Sequence, residues 1–142
     1  MANIKPDNNP KIILRVLETG AQGIQVPHIA GKDDALAAVK AVRYAPLGER
    51  GMGGSTRATR YGTVPLKEHM KQSNSEVVLV VMVEDMQAMG ELEDIASLDG
   101  LDLIAIGPSD LAQSLGTSGS DDPRLKATIE RIAATLKTIG KA

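Results

Sequence analysis

Apolar positions along this chain fall into two alternating rhythms. Ile12, Ile13, Val16 and Leu17 recur at helical spacing behind Asn9-Pro10, a cap residue followed by a proline at the first helical position, and Gly20 supplies the stop. A short stretch from about Gly23 to Pro27 reads as a strand. Asp33 and Asp34 open a second helix, with Leu36, Val39 and Val42 on its buried side. Residues 45–63 have no period and are rich in Gly and Arg, so they read as a long loop of the functional or mobile kind. A short helix near Pro65 to Gln72 closes that loop. Glu76 to Val83 is then an almost unbroken apolar run, which predicts a strand buried on both faces of a parallel sheet. A helix around Gln87 to Ser97, a strand from Leu101 to Ile106 and a short helix from Pro108 through Leu111 and Leu115 follow. Asp122-Pro123 caps the last helix, whose Leu125, Ile129, Ile132, Leu136 and Ile139 form a stripe.

Strand and helix therefore alternate about four times, provided that residues 1–5 hold the end of a first strand. That order predicts an α/β protein with parallel strands. It reads as a single domain over residues 1–142, with Thr117-Ser118-Gly119-Ser120 as a polar loop inside it. An apolar fraction of 42% and a charged fraction of 24% suit one soluble core. The net charge of −2 gives no general pull toward nucleic acid or anionic membrane. The aromatic set is Tyr44 and Tyr61 alone, which removes the stacking platforms of a single-strand binder. The absence of cysteine excludes disulfides, Cys-ligated zinc and thiol catalysis. No apolar run is long enough for a membrane span, and Met1 to Lys5 do not resemble a signal peptide, so the expected location is the cytoplasm.

In parallel α/β folds, sites gather where the carboxyl ends of the strands meet their loops. His28 stands after the first clear strand, Glu84 after the long apolar one, and Gly107-Pro108-Ser109-Asp110 after the next. Carboxylates on successive strand ends would repel one another, and a hard divalent cation removes that cost. Read from position alone, Glu84 and Asp110 are ordinary polar strand ends rather than cation ligands, with Asp110 available to cap the helix behind Pro108. His28 reads as a partly exposed loop residue, the alternative being a base on the face of the strand ends, and His69 reads as a surface residue. Arg50, Arg57 and Arg60 read as solvated loop charges, the alternative being an acidic substrate or a neighbouring subunit. Gly51-Met52-Gly53-Gly54-Ser55 lacks the Lys-Ser/Thr ending of a P-loop. Met82, Met86 and Met89 read as packing.

The segment Ile106-Gly107-Pro108-Ser109-Asp110-Leu111-Ala112 resembles the signature of the class II 2-oxo-acid aldolases, the 4-hydroxy-2-oxoheptanedioate and 2-dehydro-3-deoxyglucarate aldolase type. Val81-Met82-Val83-Glu84 is similar to that family's preceding metal strand, and Val26-Pro27-His28 and Pro46-Leu47-Gly48-Glu49-Arg50-Gly51 match in the family's order. The resemblance implies part of a (β/α)8 TIM barrel of the phosphoenolpyruvate/pyruvate type, about four parallel βα units. It implies a divalent metal, Mg²⁺ or Mn²⁺ with Co²⁺ as a further candidate, held by Glu84 and Asp110. The backbone N–H groups of Ser109 and Asp110 would help bind the substrate carboxylate. The implied activity is cleavage of a 4-hydroxy-2-oxo acid to pyruvate and an aldehyde, with the metal acting as a Lewis acid on the ketone.

The match also implies gaps. A complete barrel needs about 250 residues, and this chain corresponds to roughly the third to sixth units. The segment with the family's catalytic His has no counterpart here. Ile4, with Lys5 beside it, stands where the family has a catalytic Arg, and Met82 stands where many members have Gln. Glu18 matches the acidic partner of the missing His; an exposed Glu tolerated at the end of a helix is the alternative. A catalytically silent half-barrel and a related lyase acting on CoA thioesters are the competing functions. An open sheet would leave two edges and an apolar face uncovered, so the chain is expected to form homo-oligomers.

Overall fold

The computed structural model describes residues 2–3, 8–117, 119 and 121–141, with side chains from residue 8 onward. Ile4 and Lys5, at the position of the family's Arg, lie outside the described residues. Strands and helices follow in the order β1 (Ala2–Asn3), α1 (Pro10–Glu18), β2 (Gly23–Val26), α2 (Lys32–Val42), α3 (Leu66–Glu76), β3 (Val78–Val83), α4 (Leu92–Ala96), β4 (Leu103–Ile106), α5 (Pro108–Ser114) and α6 (Pro123–Ile139). Short 3-10 turns occupy Arg60–Gly62 and Met86–Glu91. The four strands form one parallel sheet in sequence order, β1-β2-β3-β4. This is the α/β architecture that the alternation predicts, and a first strand is present at Ala2–Asn3.

Local chemistry explains the boundaries. The Asn9 side chain accepts a hydrogen bond from the N–H of Lys11, and Pro10 follows at the start of α1. Asp122 caps α6 in the same way, and Gly140, at φ 75°, closes that helix in the left-handed region. The helix after the long loop runs to Glu76, four residues beyond the expected end at Gln72. Its sequence, LKEHMKQSNSE, is almost entirely polar and has no apolar stripe from which to read the end. The helix expected from Gln87 to Ser97 is instead a 3-10 turn followed by α4.

The core lies between the sheet and its helices. Ile24 and Val26 of β2, Leu79, Val81 and Val83 of β3 and Ile104 of β4 meet Ile13 and Leu17 of α1, Val39 of α2, Ile95 of α4 and Ile132 of α6. Leu36 departs from expectation and is 37% exposed. The buried stripe of α2 is Ala35, Ala38, Val39 and Val42, and Leu36 points away from it. The expectation that β3 is buried on both faces holds in part: Leu79, Val81 and Val83 are buried on one face, and Val80 is the buried residue of the other. Val78 and Met82 are half-buried, and on the same face Gln25, Leu103 and Ala105 are also half-buried.

The loop of residues 45–63 is tied back to the ends of α1 and α2 by backbone hydrogen bonds and closed by contacts of its own. Arg50 N–H donates to Arg43 carbonyl, Glu49 N–H to Lys40 carbonyl and Ala58 N–H to Glu18 carbonyl. Thr59 is fully buried, and its hydroxyl bridges the Gly54 and Thr56 carbonyls. Gly48 is required sterically, because a Cβ there would collide with the Arg43 carbonyl. Among the described residues, no helix is long and apolar enough to cross a membrane.

Candidate functional site

A cleft of about 360 Å³ opens beyond the carboxyl ends of β2, β3 and β4, lined by His28, Ala30, Glu84, Asp85, Asp110, Gln113 and Ser114. Glu84 and Asp110, picked from the sequence as strand-end carboxylates, therefore share one cavity. Their settings differ. Glu84 directly follows β3 and is only 4% exposed, whereas Asp110 lies exposed in the first turn of α5. Asp110 does not cap that helix, whose N-cap position is Gly107 with no side-chain cap. Ser109 is exposed beside it.

The chain turns back after β2 to reach Glu84. His28 adopts φ 55°, uncommon for any residue with a side chain. The turn aims two successive N–H groups at the end of β3: His28 N–H donates to Glu84 Oε1 at 2.8 Å, and Ile29 N–H donates to the Met82 carbonyl at 3.3 Å. The His28 ring adds a close polar neighbour, with Nδ1 3.0 Å from the same Oε1. The ring is otherwise 57% exposed in the cleft. Among the described residues nothing donates to Glu84 Oε2. That oxygen faces Gly107, where an added Cβ would come within 2.5 Å of it and 2.9 Å of the Glu84 Cβ. Gly107 is thus a glycine for space, and its N–H continues the sheet by donating to Val83 carbonyl. His28 is thus the exposed loop residue that the sequence predicts, and its place at a strand end on the same face as Glu84 brings it to the cleft.

Burying a carboxylate in this way is costly unless something compensates it. The His28 N–H on Oε1, with the polar ring beside it, supplies part of the compensation. A hard cation held by Glu84 and Asp110 would supply the rest, and carboxylate oxygens suit Mg²⁺-like ions. Among the described residues no group of three or more His, Asp or Glu side chains converges on a metal position. The residues fit a cation bound by two carboxylates, with its other positions left to water or substrate oxygens. Asp85 belongs to the cleft wall but has separate work: its Oδ1 accepts from Gln87 N–H and Ser114 hydroxyl.

Glu18 is not brought to this cleft within one chain. It is the last residue of α1, at the end of the sheet where β2 and β3 begin. The six residues of β3, about 3.3 Å each, separate the two ends. At that far end Glu18 packs under Gly53, where a Cβ would strike its carboxylate. Arg50 and His69 lie at this end too, and both depart from expectation. Arg50 is 6% exposed, stacks 4.5 Å above the Tyr44 ring and donates to Ser73 hydroxyl, so it is a packed cation and not a solvated one. Burial lowers its pKa, with Tyr44 and Glu18 working in the opposite direction. His69 meets the Tyr44 ring edge-on at 6.0 Å, and its buried Nε2 has no hydrogen-bond partner among the described residues.

Burial, and secondarily Arg50, holds the His69 pKa below its ordinary value of 6.5. The fold therefore favours neutral His69. As pH falls below 6.5, the unfolded chain takes up a proton that the folded chain refuses until its own lower pKa is reached. The stability contributed above 6.5 is lost across that window. Urea midpoints measured on either side of it should drop in acid, and His69→Gln should reduce the drop. An equal drop in both proteins contradicts this assignment.

Residues 5–142 match the HpcH/HpaI aldolase/citrate lyase family. The chain belongs to that family, and its parallel α/β sheet is consistent with the HpcH/HpaI aldolase fold. It is 42% identical over 135 residues to a pyruvate aldolase of Rhizobium etli, which covers 94% of this chain and 52% of the relative. It is 39% identical over 137 residues to a 5-keto-4-deoxy-D-glucarate aldolase of Citrobacter koseri, covering 96% and 52%. Among solved structures, an HpcH/HpaI aldolase/citrate lyase family protein from Burkholderia cenocepacia superposes with a TM-score of 0.90 at 32% identity, over 99% of this chain and 55% of the other. The chain spans about half the length of the curated relatives it matches.

Proposed function

We propose that this chain is the cation-binding half of a (β/α)8 barrel of the phosphoenolpyruvate/pyruvate type. In this reading it serves a metal-dependent carbon–carbon lyase that cleaves a 4-hydroxy-2-oxo acid to pyruvate and an aldehyde. The observation that carries the reading is one cleft, at the carboxyl ends of neighbouring parallel strands, lined by both Glu84 and Asp110. Family membership and the aldolase names of the relatives support it.

Glu84 and Asp110 hold the cation, Mg²⁺ or Mn²⁺ with Co²⁺ as a further candidate. When bound, such an ion polarises a ketone oxygen as a Lewis acid. The N–H groups of Ser109 and Asp110 lie in the first turn of α5, where helical N–H groups have no partner within the helix, and they receive the substrate carboxylate. Glu18, as acidic partner of a base, can act only on the cleft of another chain, because its own cleft lies at the other end of the sheet. That geometry and the free edges of β1 and β4 favour a homo-oligomer. A monomer mass by light scattering would remove this part. The reading includes no nucleic-acid or membrane partner and a cytoplasmic setting, supported by the net charge and by the lack of a membrane-long helix among the described residues.

The silent half-barrel is the competing reading, keeping the fold and the cation site without turnover. Pyruvate release from 4-hydroxy-2-oxo acids, with Mg²⁺ or Mn²⁺ and then with chelator, separates the two. Turnover that the chelator removes supports the lyase. Cation binding without turnover leaves the silent half-barrel, and neither result leaves both readings without a basis.

A further inference from the structure

We propose that His28 is a positioning residue for Glu84: its ring fixes which carboxylate oxygen is turned to the cleft and so sets the cation affinity of the site. This rests on the cation reading above. Three observations carry it. His28 approaches Glu84 Oε1 twice, through its backbone N–H at 2.8 Å and through Nδ1 at 3.0 Å. Both approaches fall on the same oxygen, so Oε2 is the one without a described donor, and it lies over the space that Gly107 leaves. The backbone conformation needed for this, φ 55°, is unfavourable for a residue with a Cβ, and strained non-glycine positions cluster at functional sites.

The alternative to a positioning role is a turn that merely tolerates histidine. Glycine fits that turn better, because it adopts positive φ without strain. If the ring did nothing, glycine would be the better residue here on conformational grounds. The imidazole instead occupies the cleft wall, where it restricts a carboxylate that has several rotatable bonds and only 4% exposure. Groups that orient a metal ligand without touching the metal typically change affinity by about 10- to 100-fold when removed.

His28→Gly separates the two effects, because it keeps the N–H donor, relieves the backbone and removes the ring. Mn²⁺ and Mg²⁺ binding to the purified chain should be followed by calorimetry, with thermal unfolding of each variant in chelator. The expected result is that His28→Gly melts no lower than the unsubstituted chain yet binds both ions more weakly by the same factor, about 10-fold or more. His28→Asn, which tolerates positive φ and retains a side-chain donor, should recover part of that loss. Equal loss for both ions marks an orienting group; a loss confined to the ion that favours nitrogen ligands would mark a direct ligand and overturn the proposal. Unchanged affinity in His28→Gly overturns it as well. If the unsubstituted chain binds neither ion, the cation reading fails and takes this inference with it.

Discussion

Glu84→Gln is expected to abolish cation-dependent pyruvate release, with a fall on the order of 10³-fold or more, since Lewis-acid stabilisation is worth several kcal/mol and each ~1.4 kcal/mol is tenfold. The substitution keeps shape and volume, and the amide oxygen can still accept from His28 N–H. What it removes is the charge. The same change should leave the chain equally stable or more stable in chelator, because a 4%-exposed carboxylate is costly to bury. Thermal unfolding run beside the activity assay separates lost chemistry from lost fold. Full activity in Glu84→Gln would contradict the assignment of this residue, whatever the melting temperature shows.

Arg43→Ala is expected to produce the largest loss of stability. Arg43 is 2% exposed, and its guanidinium donates to the carbonyls of Gly100, Asn74 and Val77 and pairs with Asp102. Asp102 in turn accepts from Leu79 N–H at the start of β3. One side chain thus gathers the end of α2, the end of α3 and the starts of β3 and β4. Truncation strands these acceptors and leaves a cavity, at an expected cost of about 3–5 kcal/mol. For a domain of this size that is a fall of roughly 6–20 °C in Tm. Asp102→Asn should cost less, because that side chain is 42% exposed and can turn to water. A urea midpoint for Arg43→Ala close to that of the unsubstituted chain would refute the role. Arg43 lies at the end of the sheet away from the cleft, so a variant that still folds should keep its cation affinity.

These two residues also mark how far the sequence could be read. The strand-end position of Glu84 is legible because it follows an apolar run, while its cation role rests on the family resemblance and not on local pattern. Asp110 was accessible for the same reason, through the glycine and proline that open α5. The boundaries of α1 and α6 were equally legible, since Asn9 and Asp122 cap by contacts made within two residues. Arg43 was not legible. Its acceptors come from residues 74, 77, 100 and 102, brought together only by the finished sheet. Arg50 and His69 were missed for a related reason. A Gly- and Arg-rich loop reads as solvated, and only the hydrogen bonds that fold it back on α2 reveal a buried cation stacked on Tyr44. Glu18 was picked from family correspondence alone, and the direction of α1 puts it at the wrong end of its own sheet for that role within one chain.

The most direct test of the account is diffraction from crystals of this chain grown with Mn²⁺. The anomalous map should show one peak in the cleft within about 2.0–2.6 Å of oxygens from both Glu84 and Asp110. A cleft without a peak, or an ion touching only one of the two carboxylates, would contradict it.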